Sequence, residues 1–259
     1  MAKNWKNFTE EDFDKLEESE HQLSLDELSI MLIFLRDSKE DILAEIIKFY
    51  KKYGTNDIVT YNDARKYVST RDRRRRIAVL LDSIEELLEN AVDASEIRFR
   101  NLVKELIKTE QDTFDIESTK EHETEIRWGQ DNKHWYERLW DDKELWFLYL
   151  TNDLKQGFIR QRKLDDVLKQ VNKRFDYMEN VLERLVGTET NVICSVMRQE
   201  IFKELGIKKY QYYTQADEIT CETCGPMNGL IFPISAYEIG VTAPPIHPNC
   251  RCYTVPLMD

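Results

Sequence analysis

Apolar residues recur at helical spacing along most of the chain. Ile77, Leu80, Leu81, Ile84, Leu87, Leu88 and Ala91 fall at i, i+3, i+4 and i+7, one face of an amphipathic helix. Phe99, Leu102, Val103 and Leu106 repeat that spacing, and Val167, Leu168, Val171, Phe175, Met178, Val181, Leu182 and Leu185 form a further stripe. Ser24 before Glu27, Ser38 before Asp41 and Thr60 before Asp63 have capping-box spacing and predict helix starts. A last helix is expected from Asn191 to Leu205, closed by Gly206. Thr188-Glu189-Thr190 then falls between two helices, with Glu189 as a cap or an ion-pair partner. Past residue 207 the period changes. Tyr210, Tyr212 and Thr214 alternate with Gln and Tyr, and Leu230–Phe232 and Cys252–Val255 are short apolar runs. These predict short strands in a small lobe.

Proline sharpens that division. All six prolines lie at or beyond Pro226, and proline breaks helix interiors. The expected fold is therefore α+β and predominantly α-helical: a long helical body with a small C-terminal β-rich lobe. The polar stretch Glu110–Glu125 has little periodicity and is the expected boundary, giving an N-terminal helical region over 1–125. The second region covers 126–259, with helices over 126–206 and the lobe over 207–259. Trp128, Trp135, Tyr136, Trp140, Trp146, Phe147 and Tyr149 crowd into one stretch, which reads as core packing of a helical domain.

Charge removes several classes of function. Lys plus Arg is 37 and Asp plus Glu is 49, a net charge of −12 over 259 residues. That argues against a surface that coats nucleic acid, which needs a broad positive excess. Arg71, Arg73, Arg74, Arg75 and Arg76 stand out locally. They are candidates for contact with nucleic acid or an acidic partner, against a plain reading as a solvated helix start. No apolar run approaches the ~20 residues that span a bilayer, and the N-terminus lacks the apolar core of a secretory signal. Synthesis in a reducing cytoplasm is expected, where cysteines serve as thiols, ligands or catalysts before disulfides.

Four of the five cysteines lie beyond residue 220. Cys221-Glu-Thr-Cys224 is followed by His247-Pro-Asn-Cys250-Arg-Cys252. A Cys-x2-Cys turn places two thiolates on one metal, and zinc takes about four such ligands in a tetrahedron. Cys221, Cys224, His247 and Cys250 are the first choice, with Cys252 as the substitute. A structural zinc fits best, because a lobe this small buries little apolar area. His21, His122 and His134 sit in polar surroundings and are expected at the surface. Cys194 is expected as a small core residue.

The tail also carries a family resemblance. Tyr-Tyr-Thr-Gln-Ala-Asp217 leads into Cys221-Glu-Thr-Cys224-Gly-Pro-Met-Asn-Gly229-Leu-Ile-Phe232, and Pro244-Pro245-Ile-His247-Pro248-Asn249-Cys250-Arg251-Cys252 ends before Pro256. This pattern resembles the phage Mu F-like head morphogenesis family, the minor head proteins of tailed phages. Lys155-Gln-Gly157-Phe resembles its short turn after an aromatic helix. Gly187-Thr188-Glu189-Thr190-Asn191 resembles its Arg-Thr-Glu-Thr segment, with Gly187 in place of the usual arginine. The resemblance covers about residues 128–259. It implies a non-enzymatic virion protein in the head interior or at the portal vertex, assisting procapsid assembly, DNA packaging or ejection. The implied partners are the portal protein, or scaffold or major capsid protein, with DNA contact at most local and no membrane. Some relatives carry toxin domains after this module, and seven residues after Cys252 leave no room for one. Two other readings stand beside it: a zinc-dependent hydrolase, which needs an open metal position and a placed base, and a nucleic-acid-binding zinc-ribbon regulator.

Overall fold

A computed structural model describes residues 6, 8–116, 126–215 and 221–258. His122, Asp217 and the polar stretch 117–125 lie outside the described residues. Among the described residues five α-helices precede the small sheet: α1 (Glu10–Tyr53), α2 (Tyr61–Ala64), α3 (Arg76–Phe114), α4 (Trp135–Ile159) and α5 (Leu164–Glu204). The strands are β1 (Lys209–Tyr213), β2 (Ile231–Pro233) and β3 (Tyr253–Leu257). The protein is thus mostly helical with a small C-terminal antiparallel sheet, as the period change indicates.

The helices are longer than their apparent start signals suggest. Ser24 and Ser38 lie inside α1, so neither caps a helix. Ser24 Oγ donates to His21 O at 2.7 Å, and Ser38 Oγ donates to Leu87 O at 3.1 Å. Helix interiors tolerate serine when its hydroxyl finds a carbonyl in this way. The working N-terminal signal of α1 is Thr9: its N–H and its hydroxyl both donate to Asp12 Oδ2 at 2.7 Å. Thr60 does cap α2, accepting from Asp63 N at 3.1 Å.

Two apolar stripes merge into single helices. Ile77–Ala91 and Phe99–Leu106 share α3, which continues to Phe114 and so takes in the first residues of the expected boundary. Glu110 within it is fully buried. Asn191 is not a helix start either, since α5 runs unbroken through Thr188-Glu189-Thr190. Gly157 lies in the last turn of α4 and not in a separate turn. A Cβ there would meet Val167 Cγ2 at 3.0 Å, so glycine allows a close approach. The end of α5 matches its signal: Gly206 has φ +70°, its N–H donates to Lys203 O, and Ile207 N–H donates to Phe202 O at 2.9 Å. That is a Schellman closure, and Ile207 packs in the same cluster as Phe202.

The described chain divides into two compact units. One gathers Met1–Leu28, Arg98–Glu137 and Glu183–Asp259; the other gathers Ser29–Ile97 and Arg138–Leu182. Each draws on both sides of residue 125, unlike the division expected at 125/126. The physical reason is side-chain packing across that point: the Phe99 and Trp135 rings lie 4.6 Å apart within the first unit. In the second unit Met31, Ile42, Ile46, Ile84, Leu88, Trp146, Phe158 and Phe175 are all nearly inaccessible. Trp135 and Trp146 are buried as core packing requires, while Trp140 is half-buried and donates to Glu96 Oε2 at 2.8 Å.

The first unit carries the sheet, in the order β2-β1-β3. Tyr210 pairs with Phe232 on one side and Pro256 on the other, and Tyr212 pairs with Thr254. Tyr210 packs with Phe13, Phe114, Phe202 and Tyr237. Two residues on, Tyr212 packs with Cys224, Cys250 and Cys252. One strand face thus serves the apolar core at one end and the thiols at the other.

Candidate metal centre

The Cys-x2-Cys turn and the loop between β2 and β3 bring the five candidate ligands into two overlapping groups. The ligand atoms of Cys221, Cys224 and His247 lie within 4.8 Å of one another, as do those of Cys224, Cys250 and Cys252. Cys224 belongs to both groups. His247 Nε2 lies 3.0 Å from Cys221 Sγ and 3.3 Å from Cys224 Sγ, and Cys224 Sγ lies 3.8 Å from Cys250 Sγ. Zinc–sulfur bonds of about 2.3 Å in a tetrahedron give sulfur–sulfur edges of about 3.8 Å. Each group of three could therefore hold a metal ion, and Cys250 stands outside the group formed by Cys221, Cys224 and His247.

The histidine is held in the matching tautomer. Its Nδ1 lies 2.8 Å from Pro248 O, so the Nδ1–H donates to that carbonyl and Nε2 presents its lone pair to the thiols. Burial opposes protonation of this ring. The Pro248 bond and the neighbouring Cys250 and Cys221 thiolates outweigh it and raise the pKa.

The thiols are not equivalent. Cys224 N–H donates to Cys221 Sγ at 3.3 Å, and this bond is the main cause that lowers the Cys221 pKa to about 7. Cys250 falls to about 5, chiefly because the Cys252 thiol donates to it. Cys252 is raised for the complementary reason, with burial adding to it. Burial pushes Cys224 up to about 12, while the Tyr212 hydroxyl, 3.7 Å away, favours its thiolate. Cys221 and Cys250 are thus biased toward the form that binds metal, and Cys252 toward a neutral donor.

The loop that carries Cys250 hangs on α5. Asn191 Nδ2 donates to Cys250 O at 2.8 Å and to Cys252 O at 2.9 Å. Asn249 N–H donates to Thr188 Oγ1 at 3.0 Å, with Asn249 itself at φ +59°. Tyr237 adds a third tie: its hydroxyl donates to Ser195 O at 3.0 Å, and Gln199 Nε2 donates to Tyr237 O at 2.8 Å. The residue spacing alone does not reveal this clamp. Its visible trace is a polar stripe, Thr188, Asn191, Ser195 and Arg198, at helical spacing on a helix whose buried positions are otherwise mostly apolar.

Arg198 ends that stripe in a buried ionic cluster. Its guanidinium meets Glu17 Oε2 at 3.1 Å, Glu20 Oε2 at 2.5 Å and Glu110 Oε1 at 2.5 Å. Three carboxyls face one cation, so protons must balance the cluster. Burial raises Glu17 to about 8 and also raises Glu20 and Glu110. Cys194 is buried as expected, but it borders this cluster: its sulfur and oxygens of Glu20 and Glu110 lie within 4.8 Å of one another.

The remaining candidates separate from the metal centre. Glu189 is buried inside α5 and accepts from Trp128 Nε1 at 3.0 and 2.9 Å. His134 is buried, not exposed, with its ring 4.5 Å from that of Tyr136. His21 is exposed as expected. Arg71, Arg73, Arg74, Arg75 and Arg76 all belong to the other compact unit. Arg74 pairs with Asp72 at 3.0 Å, Arg76 begins α3, and the other three are exposed.

A helical segment closed by a β-lobe with a Cys/His centre is what defines the C-terminal part of the chain. Residues 149–255 match the family model described as Phage Mu protein F like protein. This bears out the resemblance in the tail, over somewhat less than half of the chain. No curated protein and no solved structure matches the chain. No described helix is long and apolar enough to cross a membrane.

Proposed function

We propose that the protein is a minor head protein of a tailed phage, acting in head morphogenesis without catalysing a reaction. The observation that carries this reading is the Phage Mu F-like match over 149–255, which takes in all five candidate ligands of the lobe and their α5 anchor. Its place is the virion, in the head interior or at the portal vertex. Its partner there is the portal protein, with scaffold or major capsid protein as further contacts during assembly.

In this reading Cys221, Cys224, His247 and Cys250 hold a structural zinc. The metal would supply folding free energy that a three-stranded sheet of this size lacks. Four protein ligands fill a tetrahedral site, which is the arrangement of structural zinc. The chain's own part is to orient them: Pro248 O fixes the His247 tautomer, the Cys224 N–H biases Cys221 to thiolate, and Asn191 holds the Cys250 loop.

Quantitative mass spectrometry of purified particles and procapsids tests the head assignment. A few to a few dozen copies beside an abundant coat protein is the expected result. Absence from both particle types would refute it.

A further inference from the structure

The metal lobe leaves the arginine run unexplained, and the structure turns that run into a built surface. Residues 51–76 hold nine basic and three acidic residues, a local balance of +6 in a chain of −12. The loop after α2 is not slack. Val68 N–H donates to Arg74 O at 3.0 Å, Arg76 N–H donates to Lys66 O at 2.9 Å, and Tyr67 pairs with Arg75 in an antiparallel bridge. Its tip is tied by Ser69, whose N–H donates to Asp72 O and whose Oγ accepts from Asp72 N at 2.9 Å.

That geometry decides which cations are available. Asp72 accepts from Arg74 N at 3.0 Å and pairs with the Arg74 guanidinium, so one acid and one base cancel. Arg71, Arg73 and Arg75 are exposed and form no ion pair among the described residues. Close by, Arg76 lies 4.2 Å from the Tyr53 ring and Lys52 lies 5.2 Å from the same ring, which brings the basic end of α1 to this loop. Tyr67 is 57% exposed beside Arg75. Guanidinium groups on a hydrogen-bonded turn, next to an exposed aromatic ring, match a polyanion whose charges repeat along a chain and whose bases offer faces for stacking.

We propose that the hairpin loop 66–76, through Arg71, Arg73 and Arg75, binds the phosphodiester backbone of nucleic acid without reading sequence. The contact is local, so it tethers the protein to nucleic acid while the acidic remainder keeps the rest of the surface off it. It rests on the head-protein reading only for the presence of DNA nearby.

Fluorescence anisotropy with a labelled duplex and a labelled single strand of about 30 nucleotides tests this over about 50–200 mM salt. Wild type is compared with Arg71→Gln/Arg73→Gln/Arg75→Gln and with a charge-matched control, Lys169→Gln/Lys173→Gln/Lys203→Gln. Each phosphate contact contributes about 0.9 to the slope of log affinity against log salt on duplex. The loop variant is expected to flatten that slope by about 2.7, so its affinity varies roughly 40-fold less across that range. The control retains the wild-type slope. Tyr67→Ala weakens only the single-strand complex if stacking identifies that form as the ligand. No binding of either probe, or equal slopes for the two triple variants, overturns the proposal. So does loop-dependent binding of poly-glutamate with no binding of nucleic acid, which would make the partner an acidic protein. Each of those results leaves the particle-abundance measurement, and hence the head assignment, untouched.

Discussion

Replacing Asn191 by leucine removes the one side chain that, among the described residues, ties both the Cys250 and Cys252 carbonyls to α5, at nearly constant volume. Two buried carbonyls lose donors at 2.8 and 2.9 Å. An unsatisfied buried polar group costs about 1–3 kcal/mol, so the clamped lobe loses roughly 2–6 kcal/mol of anchoring. That loss falls on the loop that presents Cys250, and a partner that orients a ligand is typically worth about 10- to 100-fold in metal affinity. Chelator competition on the full chain measures it, with hydrogen exchange of the 246–257 segment alongside. Asn191→Leu is expected to weaken zinc by that factor and to raise exchange in the lobe. Ser195→Ala, which loses only a 3.4 Å contact to Asn191 Oδ1, is expected to leave both near wild type. Unchanged zinc affinity in Asn191→Leu would refute the coupling between α5 and the metal centre.

Other substitutions separate the remaining roles. Cys252→Ser is expected to keep one zinc per chain, because a hydroxyl still donates to Cys250, whereas Cys221→Ser and Cys224→Ser lose it; metal analysis after gel filtration reports both. Arg198→Met leaves Glu17, Glu20 and Glu110 without their cation and is expected to destabilise by about 3–5 kcal/mol in urea unfolding. Glu17 binds its proton up to about pH 8 in the folded chain, against about 4.3 when unfolded. Its folded pKa is raised, so its contribution to stability is full below the unfolded value and declines as pH rises toward 8. The urea midpoint is expected to fall from about pH 6 to 8.5, and Glu17→Gln to remove part of that slope. Gly206→Ala places a Cβ at φ +70° and is expected to cost about 1 kcal/mol in thermal unfolding.

Much of this architecture is legible along the chain because its signals are periodic. Tyr210 and Tyr212 alternate as a strand should, and β1 is the central strand of the sheet. The Cys-x2-Cys and Cys-x-Cys spacings hold their thiols close, and the ligand atoms fall into two groups, Cys221 with Cys224 and His247, and Cys224 with Cys250 and Cys252. Capping patterns are weaker guides. Ser24 and Ser38 carry the same spacing as a cap, yet each hydroxyl is satisfied by a carbonyl inside or beside a longer helix. Nothing in a local pattern separates those outcomes, because only packing decides whether a helix continues.

The ties between distant segments are the hardest part to read. Asn191 lies 59 residues before Cys250, and Arg198 lies 178 residues after Glu20. Each looks like an ordinary polar residue on a helix until burial demands a partner. His134 misleads for a different reason: the residues before it, Asp131 to Lys133, are polar, while its ring lies against Trp135 and Tyr136, which follow it directly. Glu189 gains its meaning only from Trp128, which approaches from another segment.

X-ray absorption at the zinc edge of the native, full-length protein tests the metal-clasped lobe most directly. The expected result is one zinc per chain, with three sulfurs at about 2.3 Å and one nitrogen at about 2.0–2.1 Å. A lobe that stays folded with no metal after gentle chelation would contradict it, and so would a shell made of oxygen and nitrogen alone.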